Sequence, residues 1–396
     1  MDERSRSGRI SDKQAGTKTK NTHSAWDVDG EREPIDTAST CPVPAEPKKK
    51  TKIRWERNKH NMKVLWQINY ETGLGADRWI VSGYKAAFED LGHAFFFWQS
   101  HEDLDERLRE VKPDILVISQ RSIRYKVLPV LKTARADGTK VFIWVDSLFY
   151  QEPEAADILT HDDPGDVYHG ETEEPWMERF RKETGKRYTV TPNAANHRLH
   201  FPTKPVKKYE CDIAFLGANL PSKQEAFKTL LFPLVKRHRV RIYGPGWTFS
   251  DHVLRSLAGI CRKAGWMKGN DWLSRKRISV PPEEENQLYS SAKVAINFHE
   301  RGETLKTHVI LNERTFKIPA CGGFEICDFV PPLRKYFTED EMVMAEDDGD
   351  WFEKIDYYLH HENERKKIQA AGTARARRDH TYLNRAEQML KCLNLK

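Results

Sequence analysis

The sequence predicts an α/β protein with two facing Rossmann-like, doubly wound domains and a cleft between them. Apolar strand-like runs alternate with helical periodicity from Lys63 onward, and a second such series begins at Asp212. Near the C-terminus, an amphipathic helix is expected to end at Gly322-Gly323 and lead directly into a short apolar strand. Because ligands bind at the carboxyl ends of strands in parallel sheets, we expect residues 312–330 to border a binding cleft.

Composition limits the class of protein. A chain of 396 residues is long enough for two domains, and its net charge of +6 does not by itself indicate nucleic-acid binding. The six cysteines form no CxxC pair and no cluster with zinc spacing, which is typical of a reducing cytoplasm. The sequence contains neither an apolar run long enough to span a bilayer nor a signal-peptide pattern, so we expect a cytoplasmic protein.

Residues 1–58 are polar and poor in large apolar side chains, which predicts a disordered tail. The basic cluster Lys48–Arg54 is expected to be solvated, although contact with an anionic surface stays open.

The first α/β series follows this tail. Strands are predicted at 63–69, 94–98, 114–118 and 141–145, and helices at 77–91, 102–111 and 125–136. Two short late strands are predicted at 157–160 and 187–190, before a turn-rich interdomain stretch at 192–205.

The second series has the same alternation. Its strands are predicted at 212–217, 240–243, 293–298 and 342–345, and its helices at 222–237, within 250–276, at 283–291, 351–361, 363–378 and 380–393.

The loop His299–His308 follows a strand end and is expected to bind phosphate. Backbone amides near Thr307–Val309, at the start of the following helix, would face an anion. Lys306 and Arg314 would add charge-assisted hydrogen bonds, and His308 belongs to the same candidate set. The alternative is an ordinary surface loop capped by a threonine.

Residues at the ends of the second-series strands are further candidates for the nucleotide site. Asn297 ends an apolar strand, where it makes either a structural hydrogen bond or a ligand contact. Gly217 and Gly244 would allow close approach of the backbone or form plain turns. Tyr243 and Trp247 would stack on a nucleobase or pack in the core.

The first series offers two candidate catalytic residues. Asp146 follows a strand at its carboxyl end, where it would act as a general base or merely cap the next segment. His101, which follows the strand predicted at 94–98, is a weaker candidate of the same kind. The run Thr72–Gly75 contains only G-x-G, and the sequence has no Walker loop, G-x-S-x-G or H-E-x-x-H motif, which disfavours kinase and hydrolase classes.

Several motifs together resemble the CgeB-like, spore maturation protein type of glycosyltransferase. They are Glu285–Phe298, Asn312–Phe316, Ala320–Gly323, Asp328, Tyr357–His361, Ala371-Gly372 and His380–Tyr382, with Trp144–Asp146 and Pro192–Asn196 upstream. The resemblance covers roughly residues 63–392 and is densest over 283–385.

The resemblance implies a GT-B fold and a donor that is a nucleoside-diphosphate sugar, expected to be a UDP-sugar, with no metal or other cofactor required. It implies an acceptor domain at 59–200, a donor domain at 201–378 and a final segment, 379–396, that crosses back to the acceptor domain. Asn312 and Thr315 join Arg314 as expected donor-binding residues.

The chain departs from the family pattern at Lys317, where related enzymes usually have a glutamate that contacts the donor ribose. An ammonium group only donates hydrogen bonds, so donor binding would be altered unless Glu313 or Glu325 compensates.

Two hypotheses therefore stay open. The first is a metal-independent glycosyltransferase, expected to transfer a hexose, in which Asp146 serves as base only if the enzyme inverts. The second is a non-catalytic GT-B-fold protein that binds a nucleotide or a glycan. The acceptor is open among glycan, protein, metabolite and modified nucleic acid, and peripheral membrane contact stays possible in either case.

Overall fold

A computed structural model describes residues 61–68, 77–299 and 309–393. The tail predicted at 1–58, the turn at Thr72–Gly75 and most of the loop predicted to bind phosphate lie outside the described residues.

The described residues of the first half form a six-stranded parallel sheet in the order β2-β1-β3-β4-β5-β6. Its strands are β1 (Lys63–Ile68), β2 (Ala94–Gln99), β3 (Ile115–Ser119), β4 (Lys140–Trp144), β5 (Val167–Gly170) and β6 (Thr189–Val190). Its α-helices span Asp77–Asp90 (α1), Leu104–Val111, Leu128–Ala136, Pro153–His161 and Glu178–Thr184.

The four early strands and the strand near residue 190 are confirmed, but the strand predicted at 157–160 is wrong. That stretch lies in the helix Pro153–His161, which begins with a proline at its first position and buries Ile158 and Leu159 on one face. The strand that completes this part of the sheet is β5, whose four residues were too few to give a clear period.

The described residues of the second half form a five-stranded parallel sheet in the order β11-β10-β9-β7-β8. Its strands are β7 (Cys211–Leu216), β8 (Val240–Tyr243), β9 (Ala292–Asn297), β10 (Glu325–Asp328) and β11 (Val343–Ala345). Its helices span 224–235 with a π-helical turn at Phe227–Leu231, then Phe249–Lys263, Met267–Lys276, Glu285–Ser291, Arg314–Ala320, Asp348–His360, Glu362–Asp379 and Tyr382–Leu393.

The order of the second sheet reverses between β7 and β9. The chain continues from β7 to β8 on one side, and from β9 to β10 and β11 on the other. A crevice at the carboxyl ends of two such strands is where open α/β sheets bind ligands. This places Gly217 and Asn297, at the ends of β7 and β9, beside the expected crevice.

The helix Arg314–Ala320, called the site helix below, is not amphipathic as predicted. Every residue from Thr315 to Ala320 is buried. Phe316 and Ala320 belong to one apolar cluster, while Ile318 belongs to another beneath β7 and β9. The helix is buried on all sides because it is enclosed between the second sheet and the helix Glu362–Asp379. It does end as expected, at Gly322 with φ of +73°.

The last helix, Tyr382–Leu393, packs on α1 of the first sheet. The rings of Tyr382 and Tyr84 lie 4.9 Å apart, and Ala386 and Met389 belong to the same buried cluster as β1. At the start of this helix, the backbone of Ala195 accepts a hydrogen bond from Tyr382 and donates one to His380, both of 2.9 Å. The C-terminal residues therefore complete the core of the first half.

We expect Gly83→Ala to weaken this contact. Gly83 lies in α1 directly beneath Tyr382, and a methyl group there would overlap the tyrosine ring. The cost should be about 1–3 kcal/mol in the free energy of unfolding, as for other overpacked cores. The matched control is Gly259→Ala, in the helix Phe249–Lys263, where an added methyl meets no atom within 4 Å. That change should stabilise by roughly 0.5–1 kcal/mol because alanine favours a helix. Equal effects of the two substitutions in urea unfolding would contradict the packing argument.

Candidate functional site

A buried polar network lies at the end of β9. Asn297 is fully buried, and its side-chain amide donates to Glu325 Oε1 (2.9 Å) and to Thr315 Oγ1 (3.2 Å). Its Oδ1 accepts a hydrogen bond from Arg314 Nε at 2.9 Å. Asn297 therefore makes the structural hydrogen bond that was one of its two predicted alternatives. The bond from Arg314 to Asn297 fixes the arginine at the carboxyl end of β9.

His299 extends this network towards β10. Its Nδ1 and its backbone N–H both lie 2.9 Å from Asp328 Oδ1, and its Nε2 lies 3.0 Å from Thr315 Oγ1. With the ring proton on Nδ1, His299 donates to the carboxylate and accepts from the Thr315 hydroxyl, which in turn accepts from Asn297. This assignment satisfies each of the three side chains, so Thr315 acts here as a structural link.

Arg314 is the half-buried cation of the site. Its guanidinium carbon lies 5.8 Å from the centre of the Phe215 ring, and a methyl group on Gly217 would lie 3.4 Å from its Nη1. No described residue accepts a hydrogen bond from its two terminal nitrogens. A side chain on Gly217 would overlap the Phe215 ring, which lies only 2.8 Å from the position of an added methyl group, and this explains a glycine at the end of β7.

Gly217 and the turn after β8 support each other. The indole N–H of Trp247 donates to the carbonyl of Gly217 at 2.7 Å, and the Trp247 ring lies 5.0 Å from that of Phe227. Gly244 has φ of +118°, and a side chain there would overlap the Gly217 backbone. Trp247 therefore packs in the core, which was one of the two alternatives predicted for it. Gly244 forms a turn that requires glycine.

Tyr243 also packs against protein. Its ring lies 6.0 Å from that of Tyr209 at an angle of 72°, beside the apolar cluster that contains Ile318. Both aromatic side chains proposed for base stacking therefore have ring partners within the domain.

Of the residues near which the helix start was predicted, 307–309, only Val309 lies within the described residues, and it is not helical. The site helix begins at Arg314, and the preceding segment is extended: Ile310 forms an antiparallel bridge with Thr172. Val309 is buried, and its carbonyl accepts from the backbone of Glu173 at 3.0 Å. This apolar segment is held by the first half, so the helix can begin only after it. Lys306, Thr307 and His308 lie outside the described residues.

Asn312 ends the extended segment. Its side-chain amide donates to the carbonyl of Phe298 at 3.0 Å, which ties the approach to the site helix to the end of β9.

Lys317 belongs to a buried charged cluster rather than to an open ribose pocket. Its Nζ lies 2.7 Å from Glu285 and 3.7 Å from Glu313, and 5.1 Å from the centre of the Trp79 ring in α1. Burial alone lowers the pKa of Lys317, but the two carboxylates raise it above its usual value. Burial, with Lys317 nearby, lowers the pKa of His200 well below its usual value, so His200 is neutral beside this cluster.

Asp146 is held at the carboxyl end of β4. Its carboxylate accepts from Gln120 (3.1 Å), from the backbone of Leu148 (2.8 Å) and from Arg121 (3.3 Å). The bond to Leu148 is the capping contact considered for this residue.

The structure does not bring His101 to Asp146. His101 is exposed after β2, at the edge of the first sheet. Asp146 follows β4, three strands away, which corresponds to roughly 14 Å at the usual strand spacing. Nothing in the described contacts supports a catalytic role for His101.

Two acidic residues after β5 were missed by sequence reasoning, because β5 itself was missed. Glu173 is buried, and its carboxylate accepts hydrogen bonds from two residues of the second half, the Tyr336 hydroxyl and the Lys335 ammonium group. Burial raises its pKa, although Tyr336 and Lys335 oppose the shift. Glu171 lies two residues earlier. The only sequence signal was an acidic run directly after a short apolar run.

Asn193, predicted as a turn residue, also joins the halves: its side chain donates to the carbonyl of Leu311 at 3.0 Å. The carboxyl edge of the first sheet thus faces the segment that leads into the site helix.

Among the described residues, no group of three or more histidine, cysteine, aspartate and glutamate side chains could hold a metal ion.

The chain is similar to several known proteins in sequence and in fold. Residues 223–391 match the family model described as "Glycosyl transferase-like". Over 189 residues the chain is 25% identical to the spore protein CgeB of Bacillus subtilis (strain 168), which covers 46% of this chain and 53% of CgeB. Over part of its length the chain therefore resembles CgeB and the glycosyltransferase-like family. The match spans about half of the length of the curated relative.

Solved structures confirm the GT-B expectation for the fold. Sucrose-phosphate synthase from Thermosynechococcus elongatus aligns with a TM-score of 0.53 at 13% identity, over 84% of this chain and 98% of that one. Anabaena HepE, in complex with UDP and glucose, aligns with a TM-score of 0.55 at 10% identity, over 85% of this chain and 100% of HepE. An α-glucosyltransferase in complex with UDP aligns with a TM-score of 0.55 at 11% identity, over 84% of this chain and 100% of the glucosyltransferase. No helix in the described part of this CgeB-like chain is long and apolar enough to cross a bilayer.

The Lys317–Glu285 pair predicts non-additive stabilities. Lys317→Met should cost about 3–5 kcal/mol, because it leaves a buried carboxylate without its cation. The double substitution Lys317→Met with Glu285→Gln should recover at least half of that loss. Urea unfolding of the single and double variants measures the coupling. Losses that simply add would contradict a direct interaction between the two charges.

Glu325 predicts a pH dependence of stability. Burial raises its pKa from 4.5 to about 8, against the opposing hydrogen bond from Asn297 and the charge of Arg314. The folded protein therefore keeps this proton through a window in which the unfolded chain releases it, so the stabilising contribution falls as pH rises between about 4.5 and 8. Glu325→Gln is neutral at every pH and should lose less stability across that window. The control is the exposed Glu339→Gln, which should follow the parent protein. Parallel profiles for all three proteins would contradict the assignment.

Proposed function

We propose that this protein transfers a sugar, expected to be a hexose, from a UDP-sugar to an acceptor hydroxyl, without a divalent metal ion. The bond from the anomeric carbon to the diphosphate oxygen breaks, and a bond from the anomeric carbon to the acceptor oxygen forms. UDP leaves, and the acceptor proton passes to a base. Binding energy from the closed cleft would orient the acceptor and exclude water.

The observation that carries this proposal is the position of Arg314. Its Nε is fixed by Asn297 at the strand-order reversal between β7 and β9, where a nucleotide phosphate is expected. Its terminal nitrogens have no acceptor among the described residues, and a guanidinium can bind two phosphate oxygens at once. Positive charge beside the leaving diphosphate stabilises the charge that develops in the transition state. Lys306 is proposed as a second cation.

UDP is proposed as the nucleotide because solved structures of similar fold contain it. HepE and the α-glucosyltransferase were solved with UDP bound, and both align over the whole of their own lengths. The acceptor class is left unassigned.

Asp146 is proposed as the group that orients or deprotonates the acceptor hydroxyl. It follows β4, the neighbour of β5, and the residues after β5 contact the segment that leads into the site helix. Its hydrogen bonds to Gln120 and Leu148 would hold the carboxylate in one orientation, which proton transfer in a fixed geometry requires.

Lys317 is the one feature that favours the alternative, a non-catalytic nucleotide- or glycan-binding protein. The usual ribose-binding carboxylate is absent at this position, and Glu285 and Glu313 are engaged by the lysine instead. Glu325 is buried within the network under Asn297. In this alternative the cleft binds a ligand without turnover.

Arg314→Ala separates the two functions. For a glycosyltransferase, turnover of a UDP-sugar should fall about 100-fold or more, as when other preorganised charge donors are removed. Stability should fall by only about 1 kcal/mol, for one lost hydrogen bond. The measurements are UDP release, with and without excess EDTA, and urea unfolding of the same samples.

The matched control is Arg109→Ala, an exposed arginine paired with Asp105 on the helix Leu104–Val111. It should leave UDP release unchanged. Parent protein that binds UDP but releases none from any UDP-, GDP- or dTDP-sugar would support the binding function instead. Turnover that EDTA abolishes would contradict the role given to Arg314.

A further inference from the structure

An exposed apolar surface lies on two helices that pack against each other, Phe249–Lys263 and Met267–Lys276. We call residues 249–277 the basic hairpin. Its exposed large apolar side chains are Phe249, Val253, Leu257, Ile260, Trp266, Met267 and Trp272. Phe249 is 85% exposed and Ile260 is 63% exposed, so these side chains contribute little to the core. Contiguous apolar surface of this kind marks a docking site.

The exposed residues of the first hairpin helix form one stripe. Phe249, Val253, Leu257 and Ile260 follow the spacing i, i+4, i+8 and i+11, which places them on a single helix face. The opposite face carries the residues that anchor the helix, including Asp251 and Ala258. The stripe therefore points away from the domain, and Trp266 and Met267 continue the apolar surface at the turn between the helices.

The charge of the hairpin is strongly positive. It contains seven arginine and lysine residues and two aspartates. One aspartate, Asp251, is already paired with Arg277 at 2.8 Å. Lys263 follows Ile260 by three residues and ends the first helix beside the apolar stripe, Arg262 is exposed on the opposite side of that helix end, and Lys268 follows the turn. Long basic side chains beside an exposed apolar stripe can reach headgroup phosphates while the stripe enters the acyl boundary.

We propose that the basic hairpin docks on the surface of a membrane that contains anionic phospholipids. The combination of a tryptophan- and phenylalanine-bearing apolar stripe with surrounding cations fits an interfacial helix, which lies in the headgroup region and does not span the bilayer. Each cation near such a surface adds electrostatic attraction that salt screens.

Two other occupants fit less well. A nucleic acid would satisfy the cations, but it would leave the aliphatic side chains of Val253, Leu257 and Ile260 against a charged backbone. A second copy of the chain would cover the apolar stripe, but it would bring two strongly positive hairpins together. An anionic bilayer would bury the apolar stripe and would also attract the basic side chains.

The hairpin is attached rigidly to the candidate site. Asp251 accepts a hydrogen bond from the backbone of Gly246 at 2.6 Å, and Ser279 accepts one from Gly244 at 2.7 Å. The same turn carries Trp247, which donates to Gly217 beside Arg314. Docking through the hairpin would therefore hold the donor domain at a fixed orientation to the membrane.

The test is co-sedimentation of the full chain with vesicles of phosphatidylcholine, alone or mixed with phosphatidylglycerol. Binding should require phosphatidylglycerol and weaken as salt rises. The double variant Phe249→Glu with Ile260→Glu should weaken vesicle binding about tenfold or more, because it removes buried apolar area and adds repulsion. Arg262→Glu with Lys263→Glu should act in the same direction.

Matched controls lie elsewhere on the surface. Val235→Glu changes a comparably exposed aliphatic residue, and Lys182→Glu with Lys236→Glu changes two exposed lysines; all should bind vesicles like the parent protein. Urea unfolding verifies that the hairpin variants keep their fold. The proposal is overturned if the parent protein does not bind the mixed vesicles, or if hairpin and control variants bind equally. It is also overturned if the hairpin variants lose only duplex DNA binding in a gel shift, or only self-association in sedimentation.

Discussion

The hydrogen bond from Arg314 Nε to Asn297 Oδ1 links the start of the site helix to the end of β9, and the rest of the site depends on that link. Asn297 can hold Arg314 only because its amide protons have acceptors in Glu325 and Thr315. Thr315 is fixed in turn by His299, and His299 by Asp328. A buried network of this type is stabilising only when its members are satisfied together, so the loss of one member affects the position of the cation.

The segment before the site helix shows how the two halves share one site. Val309 and Leu311 belong to the second half, yet their carbonyl groups accept hydrogen bonds from Glu173 and Asn193 of the first half. This arrangement determines where the helix begins. It also explains why the site helix is buried on every side, since it lies between a sheet and a helix within a shared core.

Sequence patterns predicted most of the strands and the fold class, because long apolar runs and glycine stops are local signals. The strands near residues 65, 116, 214 and 295 are examples. The four-residue β5 was missed because its period is too short to read, and Glu171 and Glu173 were missed with it. The contacts of Lys317 could not be predicted, since its partners Glu285 and Trp79 come from distant parts of the chain. Trp247 shows the same limit: its position suggested stacking, whereas its partners are core aromatic rings.

The return of the helix Tyr382–Leu393 to α1 has a consequence for biosynthesis. The apolar face of α1 around Tyr84 is covered by Tyr382, Ala386 and Met389, which leave the ribosome some 300 residues later. The first sheet can pair its strands early, but one side of it stays uncovered until residues 382–393 have been synthesised. Domains usually fold in order as they emerge, and an exposed apolar face is prone to aggregation in the interval. The core of the first half is therefore fully covered only after the helix Tyr382–Leu393 has been made.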